Sequence, residues 1–331
     1  MQPKTVEGKL GIGLVGVGRH GSRYARYLKD GMPDAELVAV SRRNPLAGFP
    51  DAGVRVYGDY RAMIADPLVD AVVVVTPPSL CPDVCLAAVR EGKPILVEKP
   101  LALTGREARA MVESAARAGA MLMTAQTMRF DSTVLKAREL LEDIGTLKRA
   151  ILTSHIETKP NMMADISKQA WIPVGAVLEL GIHLFDLIRF FTQEEVVELR
   201  CTTDPRPPER PDMKAWADLR TSGGTLCHLD IARIESQRIG RMEWIGSDGM
   251  VRADWVSGSV ARSRGPGEPD EWKIEAQPTI PATLQAFVRS IRTGQPPPIT
   301  GLDGCRAVEL ADACYRSASN GGLWLSVTAV D

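Results

Sequence analysis

The residues of this chain whose types and spacing could do chemistry are three glycines, one lysine and an acid–imidazole pair. The glycines are Gly16, Gly18 and Gly21, the lysine is Lys99, and the pair is Glu179 and His183. The glycines form a G-x-G-x-x-G pattern between the apolar run Leu10 to Val15 and the helix-forming segment Ser22 to Lys29. In that strand–turn–helix context the first glycine permits a tight turn. The second lets backbone approach a pyrophosphate, and the third lets helix pack on strand. The free N–H groups of the helix start then face an anion. The implied chemistry is dinucleotide binding, with Arg19 and His20 inside the loop as further cofactor contacts. The alternative is a glycine-rich turn with no ligand.

Lys99 lies in Val97-Glu98-Lys99-Pro100-Leu101, directly after an apolar run. A lysine at the carboxyl end of a buried strand has no packing reason to be there. Beside a nicotinamide it has a chemical one. Hydride leaves an alcohol carbon only if the hydroxyl proton leaves too, and an amine made less basic by burial and by a cationic ring can take that proton. Glu98 either opposes this shift or orients the amine, and Pro100 fixes the backbone. A lysine paired with a carboxylate at a loop edge is the structural alternative. The segment Ser41-Arg42-Arg43-Asn44 follows the second strand and lacks the acid that receives a ribose 2′-hydroxyl in NAD-binding chains. A hydroxyl and two guanidinium groups suit a 2′-phosphate. At about 1.5–3 kcal/mol for a hydrogen bond to a charged group, NADP(H) is favoured over NAD(H) by roughly ten- to a hundredfold. The alternative is two solvated loop arginines.

Elements that position these residues alternate along the first half. Strand-like runs at Glu36–Val40, Asp70–Val75, Pro94–Val97 and Met121–Thr124 carry no in–out alternation, so both faces are buried as in a parallel sheet. Helical stretches at 60–65, 83–91 and 106–118 separate them, which predicts a doubly wound α/β domain. Such sheets bind ligands past the carboxyl ends of their strands, so the loops at Gly16, Ser41, Thr76-Pro77 and Glu98 are expected along one edge.

A chain of 331 residues predicts two domains, placed at 1–127 and 128–331. A net charge of −1 supplies no basic field for nucleic acid. No apolar run approaches the roughly 20 residues that span a bilayer, and residues 1–9 lack the apolar core of a secretory signal. Six scattered cysteines without C-x-x-C point to reduced thiols and a cytoplasmic location, and four histidines without metal-ligand spacing give no metal signal. The expected partner is a small-molecule substrate.

In the second half, Gln126 to Phe130 leads out of the first domain and contributes Arg129 as a substrate-binding candidate. Residues 134–141 read as a helix broken by Gly145, and Ala150–Thr158 alternates as a half-exposed strand. Pro160 to Pro173 is irregular, and its Trp171 offers a surface for a sugar ring or packing under a loop. Gly175 to Phe191 reads as a helix with Glu179, His183 and Asp186 on one face and Leu178, Phe185 and Ile188 free to pack. Strand-like runs from Val196 to Arg264 predict a mostly antiparallel sheet with one face free, with Gly223-Gly224 as a hairpin turn. Helices follow at 279–292 and 303–319, then a closing strand at 323–327.

Gly16-Val17-Gly18-x-x-Gly21, Thr76-Pro77, Glu98-Lys99-Pro100 and Glu179-Leu180-Gly181-Ile182-His183 together resemble the Gfo/Idh/MocA family of glucose–fructose oxidoreductases and inositol dehydrogenases. The resemblance runs over nearly the whole chain. It implies a Rossmann domain followed by an α+β domain on a large open sheet, and NAD(P)-dependent chemistry at a hydroxyl or carbonyl carbon of a sugar or polyol. It implies Lys99 as catalytic residue, with His183 and Glu179 near the substrate hydroxyls, and a Lys99-Pro100 bond that is often cis. It also implies a homo-oligomer, dimer or tetramer, through the open sheet face, and a last helix packing back toward the first domain. The chain departs from the family in two places. Glu179 stands where Asp is usual, and Pro78 and Cys81 stand where Asn and His are common. Those departures leave open a dinucleotide-binding regulator without turnover, or a reductase of a non-sugar substrate.

Overall fold

The computed structural model describes residues 8–30, 32–43, 53–157, 174–204, 211–234 and 237–327. The chain forms two compact units, one of residues 1–127 with 278–308, the other of residues 128–277 with 309–331.

The first unit is built on a parallel sheet. Its strands are β1 (Leu10–Val15), β2 (Ala35–Ser41), β3 (Arg55–Tyr57), β4 (Ala71–Val74), β5 (Ile95–Glu98) and β6 (Leu122–Ala125), in the order β3-β2-β1-β4-β5-β6. Every residue of β1, β4, β5 and β6 is buried, as the unbroken apolar runs require. Helices α1 (Gly21–Asp30), α2 (Tyr60–Ile64), α3 (Cys81–Arg90) and α4 (Gly105–Ala118) form the crossovers. Thr104 and Glu107 make a reciprocal capping box at the start of α4, and Gly119 ends it in the left-handed region. Strand order reverses between β1 and β4, the switch point at which such sheets open a crevice. Register carries the consequence. Val15 lies beside Ser41 and Val74, Val74 beside Val97, and Glu98 beside Ala125. The glycine turn, the arginine loop, the Thr76 turn and Lys99 therefore leave the sheet at one edge.

The second unit carries a nine-stranded sheet of β7 (Leu147–Glu157), β8 (Val196–Thr203), β9 (Lys214–Thr221), β10 (Leu226–Ile234), β11 (Ile239–Gly246), β12 (Met250–Asp254), β13 (Ser259–Ser263), β14 (Asp270–Lys273) and β15 (Leu325–Ser326). Its order is β14-β13-β12-β11-β7-β10-β9-β8-β15, antiparallel except where β10 runs parallel to β7. Alternation is clear in β9, where Ala215, Ala217, Leu219 and Thr221 are buried and their neighbours are not. Helix α5 (Ser132–Glu139) is capped by Asp131, whose carboxylate accepts from Thr133 and Val134 N–H. Helix α6 (Ile182–Thr192) carries the candidate histidine. Helix α7 (Thr279–Thr293) belongs to the first unit, and α8 (Gly301–Ser319) passes from the first unit to the second after Val308.

Two strands, β3 and β14, are absent from the sequence reading; they are three and four residues long. All six cysteines are buried, and none is joined in a disulfide. No helix among the described residues is long and apolar enough to cross a membrane.

Candidate active site

Gly16 takes φ +92°, and a side chain there would collide with the Val75 carbonyl. A side chain at Gly21 would collide with the Gly16 carbonyl, so α1 can start only where a glycine stands. A Cβ on Gly18 would meet nothing. That open space beside the backbone, at the start of α1, is what a pyrophosphate needs, and it fits a dinucleotide. Gly16 N–H donates to the Ser41 carbonyl at 3.0 Å, tying the glycine turn to the arginine loop.

Ser41 is 5% exposed, Arg42 is half-buried and donates its N–H to the Tyr57 carbonyl, and Arg43 is exposed. A cavity of about 420 Å³ opens beside the turn, lined by Ser22, Arg26, Lys29, Asp30 and Arg42 among others. Arg43 does not line it. Arg26 and Lys29 were not singled out from the sequence. They lie on α1 at i and i+3, a spacing that by itself reads as an ordinary solvated face.

Thr76 and Pro77 form the turn after β4, held from below by Cys81. The Cys81 thiol lies 3.4 Å from Thr76 Oγ1 and donates toward the Pro77 carbonyl at 3.7 Å. Burial pushes this thiol up to about 11, so it stays protonated beside the turn.

Lys99 is half-buried, and the Lys99-Pro100 bond is cis. Glu98 beside it is buried and accepts from three sides. His20 Nε2 and the Tyr24 hydroxyl each reach Oε1 at 2.6 Å, and the Lys99 N–H reaches Oε2 at 3.0 Å. The imidazole of His20, read from sequence as a loop contact to cofactor, is thus turned onto the carboxylate next to the lysine. Burial alone would raise the Glu98 pKa. The His20 hydrogen bond and charge, the Tyr24 hydroxyl and the Lys99 charge outweigh it and hold the carboxyl below its usual range. The depressed value means that this cluster stabilises the fold above the ordinary carboxylate range and loses that contribution on acidification.

In the second unit, Val177–Gly181 forms a π-helical turn that runs into α6. The sequence reading predicted a regular helix here; one wider turn stands at its start, a feature that recurs at functional sites. Between Gly175 and Ile188 every residue is buried except Glu179 and His183. The two candidate groups are therefore the only ones this segment presents. Asp186 is corrected from the expected shared face: it is 1% exposed and accepts both Arg129 Nε, at 2.8 Å, and Arg129 Nη2, at 2.6 Å. Arg129 is engaged in this pair and lies over the Phe190 ring at 5.2 Å. Trp171 falls outside the described residues.

Three further residues hold this segment in place. Asp212 accepts from Val177 N–H through its carboxylate and from Ala176 N–H through its carbonyl, each at 2.9 Å. The Tyr315 hydroxyl of α8 donates to the other Asp212 oxygen at 2.9 Å. Arg233, its side chain 2% exposed, donates to the Val174 carbonyl at 2.9 Å and pairs with Glu179 Oε2. The Glu179 side chain is 34% exposed, so one oxygen is tied to a buried arginine while the group still reaches the surface. A signal for Arg233 exists in the sequence: it follows Cys227, Leu229 and Ile231 at period two, which puts an arginine on the buried face of β10.

Residues 10–126 match a family described as oxidoreductases with an NAD-binding Rossmann fold, and residues 134–252 match the GFO/IDH/MocA C-terminal domain. The chain is 30% identical to an inositol 2-dehydrogenase of Rhizobium meliloti, over 93% of this chain and 96% of that one. It is 29% identical to inositol 2-dehydrogenase 2 of Saccharopolyspora erythraea, over 94% of both chains. Among solved structures, the aldose–aldose oxidoreductase of Caulobacter crescentus shares the fold, with a TM-score of 0.84 and 24% identity, over 96% of this chain and all of that one.

Proposed function

The chain belongs to the Gfo/Idh/MocA oxidoreductase family, and from that premise we propose that it transfers a hydride between NADP(H), in preference to NAD(H), and a hydroxyl-bearing carbon of a sugar or cyclic polyol. The observation that carries this reading is the common sheet edge from which the glycine turn, Arg42, the Thr76 turn and Lys99 all leave. The nicotinamide, when bound, supplies the hydride acceptor or donor. The chain's own residues manage the proton and the hydroxyls. The Lys99 amine takes the proton of the reacting hydroxyl in oxidation and returns it in reduction. His183 orients a substrate hydroxyl or relays a proton. Glu179, one oxygen tied to Arg233, accepts hydrogen bonds from substrate hydroxyls. Arg129 acts on this segment through Asp186. The names of the inositol dehydrogenase relatives favour a cyclic polyol. A screen of inositols, aldoses and keto-sugars, following NADP⁺ and NAD⁺ reduction by absorbance, tests the reading. Reduction of neither dinucleotide by any member, in protein that binds NADP⁺ by calorimetry, removes it.

Cofactor choice rests on Arg42, with Arg26 and Lys29 beside it around the same cavity. Arg42→Ala is expected to weaken NADP⁺ binding by about ten- to a hundredfold and leave NAD⁺ nearly unchanged. An unaltered preference in this variant and in Arg43→Ala would overturn the assignment.

The open face of the nine-stranded sheet carries Trp216, Leu226 and Trp324, each more than 40% exposed. Aromatic and apolar groups on such a face suit a subunit interface, and the chain is proposed to form a dimer or tetramer through it. Light scattering on the 35.9 kDa chain is expected to return a multiple of that mass; the monomer mass would contradict it.

A further inference from the structure

We propose that His20 is a positioning residue for the proton transfer assigned to Lys99: by engaging Glu98 from the glycine loop, it draws that carboxylate's charge away from the lysine amine. The inference rests on the proposed role of Lys99 and adds a residue to it.

The geometry is contained in one unit. The buried Glu98 carboxylate feels the Lys99 charge, and its Oε2 accepts the Lys99 backbone N–H at 3.0 Å. Its other oxygen, Oε1, is shared by His20 Nε2 and the Tyr24 hydroxyl, both at 2.6 Å. A carboxylate beside an ammonium favours the charged amine and so makes it a poorer base. Hydrogen bonds from an imidazole and a phenol to that same carboxylate take up part of its charge. Tyr24 is a fixed neutral donor, because burial first and the Glu98 charge second raise its proton affinity well above the usual phenol range. His20 is the donor at the solvent edge of the cluster. Its side chain is 48% exposed, so one edge of the ring meets solvent while Nε2 meets Glu98. The other titratable groups facing the cluster are Arg23 on α1, which acts on Tyr24, and Cys81 on α3, which feels Glu98 and stays a thiol. Neither competes for the Glu98 oxygens.

The sign follows. With His20 in place, Glu98 stabilises the Lys99 ammonium less, and the free amine persists to lower pH. Without an imidazole at position 20, Glu98 acts on Lys99 more fully and the amine holds its proton to higher pH. His20→Leu is expected to raise the Lys99 titration by about one pH unit, on the scale of an opposite charge a few ångströms away. His20→Arg, which restores a donor to the Glu98 carboxylate, is expected to bring it back.

The test is a pH titration of ¹³C-dimethylated lysines by NMR in the cofactor-free protein, with the Lys99 signal assigned by its loss in Lys99→Arg. It needs no turnover, so its outcome is separable from the fate of the proposed activity. A Lys99 titration that moves upward in His20→Leu and returns in His20→Arg supports the inference. A titration unchanged in His20→Leu, with the other lysine signals in their wild-type positions, overturns it. In the active enzyme the same shift should appear as an upward move of the acid limb of kcat/KM for polyol oxidation. A lowered kcat/KM with the limb unmoved would assign His20 a structural role only and would also overturn the inference.

Discussion

Lys99→Met is expected to lower kcat by about a hundred- to ten-thousandfold, the usual contribution of a positioned acid or base, while calorimetry finds NADP⁺ affinity unchanged. The expectation follows from where the lysine stands. Lys99 leaves the carboxyl end of β5, past the last buried residue of a strand that is apolar until Glu98. Its backbone is fixed by the Glu98 hydrogen bond and the following proline. Glu98 in turn is anchored to the glycine loop through His20 and to α1 through Tyr24. Methionine keeps the apolar stem and removes only the group that exchanges protons. The dinucleotide contacts assigned to Gly16, Gly18, Gly21 and Arg42 are untouched by the change. Retention of kcat within a few-fold would remove Lys99 from the mechanism, and a parallel loss of NADP⁺ affinity would make it a binding residue instead.

The second large effect is on stability. Arg129→Leu leaves the Asp186 carboxylate at 1% exposure without its bidentate partner. Removing one member of a buried ion pair costs about 3–5 kcal/mol, because the remaining charge is neither solvated nor compensated. The loss is to be read by urea denaturation. Replacing both residues, Arg129→Leu with Asp186→Leu, should recover most of it, since no unpaired charge then stays buried. If the single and double variants are equally destabilised, the pair is not the source. Asp186 lies one turn beyond His183 on α6, so the same variants should impair turnover as well as folding.

Much of the first unit was legible in the sequence because its signals are local. Unbroken valine-rich runs, glycines at fixed spacing and a lysine after a strand need no knowledge of distant residues. Strands β3 and β14 escaped because three or four residues carry too little pattern to separate from a loop. The second-unit segment was partly legible. Glu179 and His183 were found by their spacing, and the structure leaves both reaching the surface from an otherwise buried stretch. Asp186 shared that spacing yet turned inward, because its partner Arg129 lies 57 positions away and no local rule pairs them. The same holds for Asp212 and Tyr315, which meet across 103 positions to hold the start of the segment. His20 lay within the recognised motif, but its link to Glu98 spans 78 positions and depends on the order of strands in the sheet. Long-range pairing of polar groups is what a single sequence withholds here.

A crystal structure of the chain with NADP⁺ and the polyol it oxidises fastest tests the central claim most directly. The expected result is the dinucleotide pyrophosphate on the Gly16–Gly21 turn, with the Lys99 amine within hydrogen-bond reach of the reacting hydroxyl. A dinucleotide bound elsewhere, or a Lys99 amine turned away from the substrate, would contradict it.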